Sequence, residues 1–149
     1  MDRTSLNSPA RRIYLSPPWV EVEDEVAAAA AVRSGWVAPV GPDLDAFEDA
    51  IASVSQRRYA VALSSGTAAL HLGLLALGVE RGDEVLLSSL TFGATAFAIA
   101  YIGAHPVLID VEEVSWNLDP ELLSATLAKR KTEGRLPAAV LCVDVFGRT

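Results

Sequence analysis

From Tyr59 onward the sequence alternates short apolar runs with longer segments of helical composition. The apolar runs, which predict buried strands, are Tyr59–Leu63, Glu84–Ser88, Pro106–Ile109 and Ala138–Val143. Between them lie three predicted helices: Thr67–Leu77, Phe92–Ile102 and one that begins at Asp119-Pro120. Because strands that alternate with helices build a parallel sheet with both faces covered, we predict a three-layer α/β fold with a parallel-rich sheet.

The first part of the chain has a different character. Residues 1–12 are polar and predict a disordered start, whereas Glu21–Arg33 is rich in alanine and predicts a helix that stops at Gly35. A second helix is predicted to open at Pro42, with Leu44, Phe47 and Ile51 at helical spacing. We expect that apolar stripe to be buried.

Composition excludes some partners. The formal net charge is −7, and the ten arginines and two lysines, Lys129 and Lys131, form no clustered basic face for nucleic acid. The single Cys142 cannot form an internal disulfide and lies in an apolar run, which predicts a buried thiol and a reducing, cytoplasmic compartment. No signal peptide is visible, so secretion is not expected.

Two uncharged segments, Ala60–Val79 and Leu86–Ile109, are long enough to span a bilayer. The first is interrupted by Ser64–Thr67 and the second by glycines and Pro106, which fit strand, turn and buried helix better than a membrane helix. We therefore expect no membrane partner. A membrane hairpin is the alternative, and it would require detergent for recovery.

The segment Ser64–Leu70 carries the first indication of chemistry. Its small residues, Gly66 among them, let the backbone approach a ligand, and the first N–H groups of the following helix lack internal partners. This pattern is typical of a phosphate site. It has neither the three-glycine dinucleotide fingerprint nor a Gly-Lys-Ser/Thr ending, so a plain tight turn is the alternative interpretation.

Phe92 opens the next predicted helix, again just after a strand. Ligands of open parallel sheets lie beyond the carboxyl ends of the strands, so we expect Thr67 and Phe92 to face one crevice. A phosphate site beside an aromatic ring suits a flat, phosphorylated cofactor. Ordinary core packing is the alternative role for Phe92.

Several motifs, in a fixed order, carry a resemblance to a known family. They are Ser34-Gly35-Trp36, Phe47-Glu48, Ser64–Leu72, Gly82–Val85, Thr91–Ala96, Pro106–Asp110, Asn117–Pro120 and Val145-Phe146-Gly147. The chain from Ile13 to Gly147 resembles the DegT/DnrJ/StrS aminotransferases, and residues 13–149 would then be the amino-terminal part of the cofactor-binding large domain of a type I aminotransferase.

That resemblance implies an activity and its partners. The cofactor would be pyridoxal 5′-phosphate, and the substrates a nucleotide-linked keto sugar and an amino donor, glutamate, in polysaccharide, glycan or antibiotic-sugar biosynthesis. A homodimer with active sites at the subunit interface is implied as well.

The resemblance also implies roles for individual residues. Thr67 and Ala68 would hold the cofactor phosphate through their N–H groups and the Thr67 hydroxyl, at a backbone opened by Gly66, while Phe92 would stack on the pyridine ring. Trp36 would lie near the substrate or the dimer interface, with core packing as the alternative. No metal ligand is expected.

Two departures from the family pattern matter. Phe97 stands where the family commonly has asparagine. The lysine that forms a Schiff base with the cofactor, and the aspartate at the ring nitrogen, would both follow the last residue; Lys129 and Lys131 do not match the lysine motif. We therefore assign no catalytic residue and expect a truncated chain that does not transaminate alone, with an unpaired sheet edge. A non-catalytic or regulatory remnant, or a related sugar dehydratase, remains the alternative.

Overall fold

The computed structural model describes residues 18–148. The predicted disordered start at residues 1–12 lies outside the described residues. Backbone contacts divide the chain into one unit that extends to Ala62 and a second that begins at Leu63.

The first unit contains two helices, α1 (Val22–Ser34) and α2 (Pro42–Val54). Acidic residues occupy the first turn of α1, where they oppose the helix dipole, and Gly35 ends the helix with φ of +79°. Pro42 takes the first position of α2, where its missing N–H costs nothing. Both predicted helices are therefore confirmed within a residue or so.

Two expectations for this region are wrong. Phe47 and Ile51 are not buried but are 55% and 44% exposed, because the cavity of about 640 Å³ between α1 and α2 is lined on the α2 side by Pro42, Asp43 and Ala46. Tyr59–Leu63 forms no strand. A strand needs a hydrogen-bonded neighbour, and the N–H of Ala62 donates instead to the Glu48 carboxylate at 2.7 Å.

The second unit is built on a parallel sheet with the order β2-β1-β3. Its strands are β1 (Glu84–Ser88), β2 (His105–Ile109) and β3 (Ala139–Leu141). In the central strand, Leu87 pairs in register with Leu108 of β2 and with Leu141 of β3. These three strands were predicted, although β3 is shorter than the apolar run that indicated it.

Both faces of β1 are buried. On one face α3 (Gly66–Ala76) and α4 (Ala94–Ile102) pack over Val85 and Leu87 to form the core. Side chains alternate along a strand, so Glu84 points to the other face, where its carboxylate pairs with Arg130 of α5 (Pro120–Thr132) at 2.7 Å. The predicted α/β fold with a parallel sheet between helices is confirmed.

Two further observations concern the apolar segments and Cys142. No helix within residues 18–148 is both long enough and apolar enough to cross a bilayer. Cys142 is exposed rather than buried, because it follows β3, a strand at the edge of the sheet in the described chain.

Candidate cofactor-binding site

A cavity of about 790 Å³ runs along α3 and reaches the start of α4 and the end of β3. Cavities of this size are typical of small-molecule and cofactor sites. Its wall carries no charged side chain and consists of Gly66, Thr67, Ala69, Leu70, Gly73, Leu74, Leu77, Phe92, Ala94, Thr95 and Leu141. A ligand in this cavity would therefore meet an apolar wall, with polar groups concentrated at the start of α3.

The α3 side of the wall follows from helical spacing. Gly66, Leu70, Gly73 and Leu77 recur every three or four residues, so they share one face of the helix. A side chain added at Gly66 or Gly73 would meet nothing within 4 Å, which shows that the space beside the helix is open. Leu70, Gly73 and Leu77 were not predicted as site residues, although their helical spacing places them on the same face as Gly66.

The start of α3 has the features of an anion site. Ser65 caps the helix: its hydroxyl accepts the N–H of Ala68 at 3.2 Å, and its carbonyl accepts the N–H of Ala69 at 3.1 Å. The N–H groups of Gly66 and Thr67 have no hydrogen-bond partner in residues 18–148. Because the helix dipole adds partial positive charge at this end and the first turn has no acidic residue, these two groups favour an anion.

Phe92 lies where the chain leaves β1 and enters α4. Its side chain is 84% exposed and lines the cavity, so it is not part of the core. The segment around it is held by a hydrogen bond of 2.8 Å between the hydroxyls of Thr91 and Thr95, the latter buried. The ring is thus presented to the crevice by a fixed backbone.

A smaller cavity of about 280 Å³ lies on another side of Phe92. It is bounded by Leu90 and Thr91 after β1, and by the segment from Val143 to Phe146 after β3. Asp144 supplies the only carboxylate among these lining residues. Phe146 is 89% exposed and has φ of +53°, a left-handed conformation that bulky residues rarely adopt.

The loop between β2 and α5 is ordered by one carboxylate. Glu112 accepts the N–H groups of Val114 and Ser115, each at 2.6 Å, and also the Ser115 hydroxyl. The hydrogen bond from that hydroxyl, followed by those from the two N–H groups, lowers the pKa of Glu112 below its ordinary value. The ionised carboxylate therefore stabilises this loop.

The structure brings three of the predicted cofactor residues together, since Gly66, Thr67 and Phe92 line one cavity. Ala68 does not line it, and its N–H is engaged by Ser65. Trp36 belongs to the first unit, where its ring lies about 3.2 Å from the position that a side chain on Gly41 would take. Phe97, at the departure from the family pattern, is 57% exposed and its ring lies against Gly93.

The fold of the second unit, a parallel sheet with helices packed on it, is shared with solved aminotransferases. The chain superposes on a DegT DnrJ EryC1 StrS aminotransferase from Brucella abortus with a TM-score of 0.76 and 36% identity, over 84% of this chain and 34% of that chain. The family model described as the DegT/DnrJ/EryC1/StrS aminotransferase family matches residues 19–149. The chain belongs to this family.

Other relatives are similar over nearly the whole chain. It is 42% identical over 139 residues to EpsN of Bacillus subtilis (strain 168), provisionally named a pyridoxal phosphate-dependent aminotransferase, and 34% identical over 137 residues to GDP-perosamine synthase of Caulobacter vibrioides. These matches cover 93% and 92% of this chain but 36% and 35% of the relatives. The chain therefore spans about a third of the length of the curated relatives it matches.

Proposed function

We propose that the protein is a pyridoxal phosphate-dependent aminotransferase of a nucleotide-linked keto sugar, and that this chain supplies the phosphate site and the aromatic ring of its cofactor pocket. The observation that carries this proposal is the shared cavity: it is lined by Gly66 and Thr67, whose N–H groups have no partner within residues 18–148, and by the exposed Phe92. Family membership supplies the reaction class.

The residues present fit a flat, phosphorylated cofactor. The N–H groups of Gly66 and Thr67, with the Thr67 hydroxyl, would bind the phosphate at the positive end of α3. Ala68 can contribute its N–H only after the Ser65 hydroxyl releases it. Phe92 would hold the ring plane by stacking, and the apolar wall formed by Leu70 and Leu77 would exclude water.

Pyridoxal phosphate supplies an electron sink that lets an amino group pass from an amino acid to a ketone in two half-reactions. The role of this chain in that chemistry is binding and orientation of the phosphate and the ring. The carboxylate of Asp144 lies in the smaller cavity beside Phe92 and repels anions there, which favours placement of the cofactor phosphate at the start of α3.

The names of relatives support the substrate class. Besides the Caulobacter protein, GDP-perosamine synthase of Escherichia coli O157:H7 is 36% identical over 114 residues, 76% of this chain and 30% of that protein. We accordingly propose a nucleotide-linked sugar as acceptor, glutamate as donor and a homodimer as the active form, with Trp36 at the substrate or dimer interface. The free thiol of Cys142 fits a cytoplasmic location.

The test is a titration of the purified chain with pyridoxal phosphate, followed by absorbance and by protection from proteolysis. Thr67→Ala and Phe92→Ala should each weaken binding of the cofactor about tenfold. The first removes a charge-assisted hydrogen bond to the phosphate, and the second removes an aromatic contact with the ring. Matched controls are Thr126→Ala and Phe97→Ala, whose side chains do not line the cavity. Inorganic phosphate should compete with the cofactor. Non-saturable binding, or equal losses in the control variants, would overturn the proposal.

A further inference from the structure

The turn that follows β3 forms one wall of the smaller cavity beside Phe92. It is a short 3-10 turn, Val145–Gly147, in which Val145 is buried and Phe146, although exposed, lines the smaller cavity together with Phe92. Phe146 has left-handed φ and ψ of 53° and 29°. A bulky residue keeps such a conformation only where its surroundings over-determine it.

One side chain from a distant segment of the sequence hydrogen-bonds to both ends of this turn. The Asn117 Oδ1 atom accepts the N–H of Val145 at 2.9 Å, and its Nδ2 atom donates to the carbonyl of Arg148 at 2.8 Å. The two bonds cross 28 and 31 residues of sequence. Inside the turn, the Gly147 N–H donates to the Asp144 carbonyl at 3.0 Å. We call the pair of bonds made by Asn117 the Asn117 clamp.

Asn117 is itself held in place before it reaches the turn. Its N–H donates to the Ser115 hydroxyl at 3.2 Å, and its carbonyl accepts the N–H of Glu112 at 3.0 Å. The neighbouring Leu118 forms an antiparallel bridge with Val111. The loop anchored by Glu112 thus holds the Asn117 backbone in place, and the clamp links this loop to the wall of the smaller cavity.

We propose that Asn117 is a positioning residue for Phe92, the ring shared by the two cavities, and that it acts through the turn Val145–Gly147, which places Phe146 in the smaller cavity on the side of Phe92 away from the proposed cofactor. The functional half of this inference rests on the proposed cofactor function. Asparagine suits the role because one side chain offers both an acceptor and a donor, which aspartate and alanine do not. The clamp also joins two motifs of the sequence, Asn117–Pro120 and Val145-Phe146-Gly147, through hydrogen bonds.

The experiment compares Asn117→Ala, Asn117→Asp and the control Glu113→Ala in the full chain. Glu113 is exposed in the same loop and makes no side-chain hydrogen bond with residues 18–148. The first measurement is hydrogen exchange of the Val145 amide by NMR. Asn117→Ala should accelerate it about tenfold through loss of the acceptor, whereas Asn117→Asp, which keeps an acceptor, and Glu113→Ala should stay near wild type.

The second measurement is the affinity for pyridoxal phosphate. Asn117→Ala should weaken binding about three- to tenfold, Asn117→Asp should weaken it less, and the loss should disappear in a Phe146→Ala background if Asn117 acts through that ring. A merely structural role would lower the thermal midpoint equally in both backgrounds without this dependence on Phe146. Unchanged affinity with faster exchange, or a loss independent of Phe146, would overturn the positioning role.

Failure of the cofactor proposal would look different. If the wild-type chain does not bind pyridoxal phosphate, the proposed function fails while the exchange measurement still decides whether the clamp holds the wall. Unchanged exchange of the Val145 amide in Asn117→Ala would overturn the clamp in either case.

Discussion

Glu112 shows how one carboxylate can order a loop. Its hydrogen bonds from Ser115 and Val114 favour the ionised form, so its pKa in the folded protein lies below the ordinary 4.5. A carboxyl group with a lowered folded pKa stabilises the protein above its unfolded pKa, and this contribution disappears as the pH falls through the folded pKa. The Glu112 interaction should therefore stabilise the fold at neutral pH and weaken below pH 4.5.

This argument predicts that Glu112→Gln lowers the free energy of unfolding at pH 7 and that the gap to wild type narrows as the pH falls below 4.5. Urea unfolding at a series of pH values between neutral and acid measures the gap. Glu113→Gln, in the same loop, removes an equal charge without removing these hydrogen bonds. A gap that stays constant with pH would show that the ionised carboxylate is not what stabilises the loop.

At the scale of elements, the central strand β1 organises the second unit. Leu87 is fully buried in the core, whereas its register partner Leu108 in β2 is 62% exposed. Leu87→Ala should therefore lower the free energy of unfolding by about 2–5 kcal/mol, because it leaves a cavity in a packed core. Leu108→Ala makes the same chemical change at the paired position. It should lower the free energy of unfolding by well under half as much, as measured by chemical denaturation. Equal losses would mean that the exposed face of β2 is covered in solution.

Local signals predicted most of these elements. The helices α1 and α2 and the strands β1 and β2 carry their own caps, proline positions or apolar runs, and they lie where the sequence indicated. Tyr59–Leu63 has the composition of a strand, but pairing depends on a neighbouring strand, which a local pattern does not specify. The exposure of Phe47, Ile51 and Cys142 has the same origin, since burial is decided by the neighbours of an element.

Part of the candidate cofactor-binding site could be predicted from the sequence. Thr67 and Phe92 were predicted to face one crevice because each follows a predicted strand of a parallel sheet, and both do line one cavity. The capping of Ala68 by Ser65 depends on side-chain geometry that the residue types left open. The Asn117 clamp joins residues 28 and 31 positions apart, and no periodicity or spacing predicts such a contact.

At the scale of the whole molecule, exposed apolar surface and net charge have opposite effects on self-association. The formal net charge of −7 disfavours self-association, while exposed apolar side chains such as Phe92 and Leu77 border an apolar cavity. Within the described chain β3 is an edge strand, and its residues Ala139–Leu141 contain neither a charge nor a proline to discourage pairing. The cavity wall and the β3 edge adjoin at Leu141, so together they offer one surface for association.

We therefore expect the purified chain to associate with increasing concentration, and Leu77→Glu to oppose this. Leu77 lines the cavity and is 71% exposed, and a charge there would have to be buried when the surface is covered. The control Val114→Glu makes the same change of charge at a residue that is 79% exposed and does not line the cavity. The measurement is sedimentation velocity over a range of protein concentrations. The concentration at the midpoint of association should rise on the order of tenfold in Leu77→Glu, because one buried leucine contact is lost. It should change little in Val114→Glu. Equal shifts in the two variants would mean that net charge, rather than the apolar surface around Leu141, controls association.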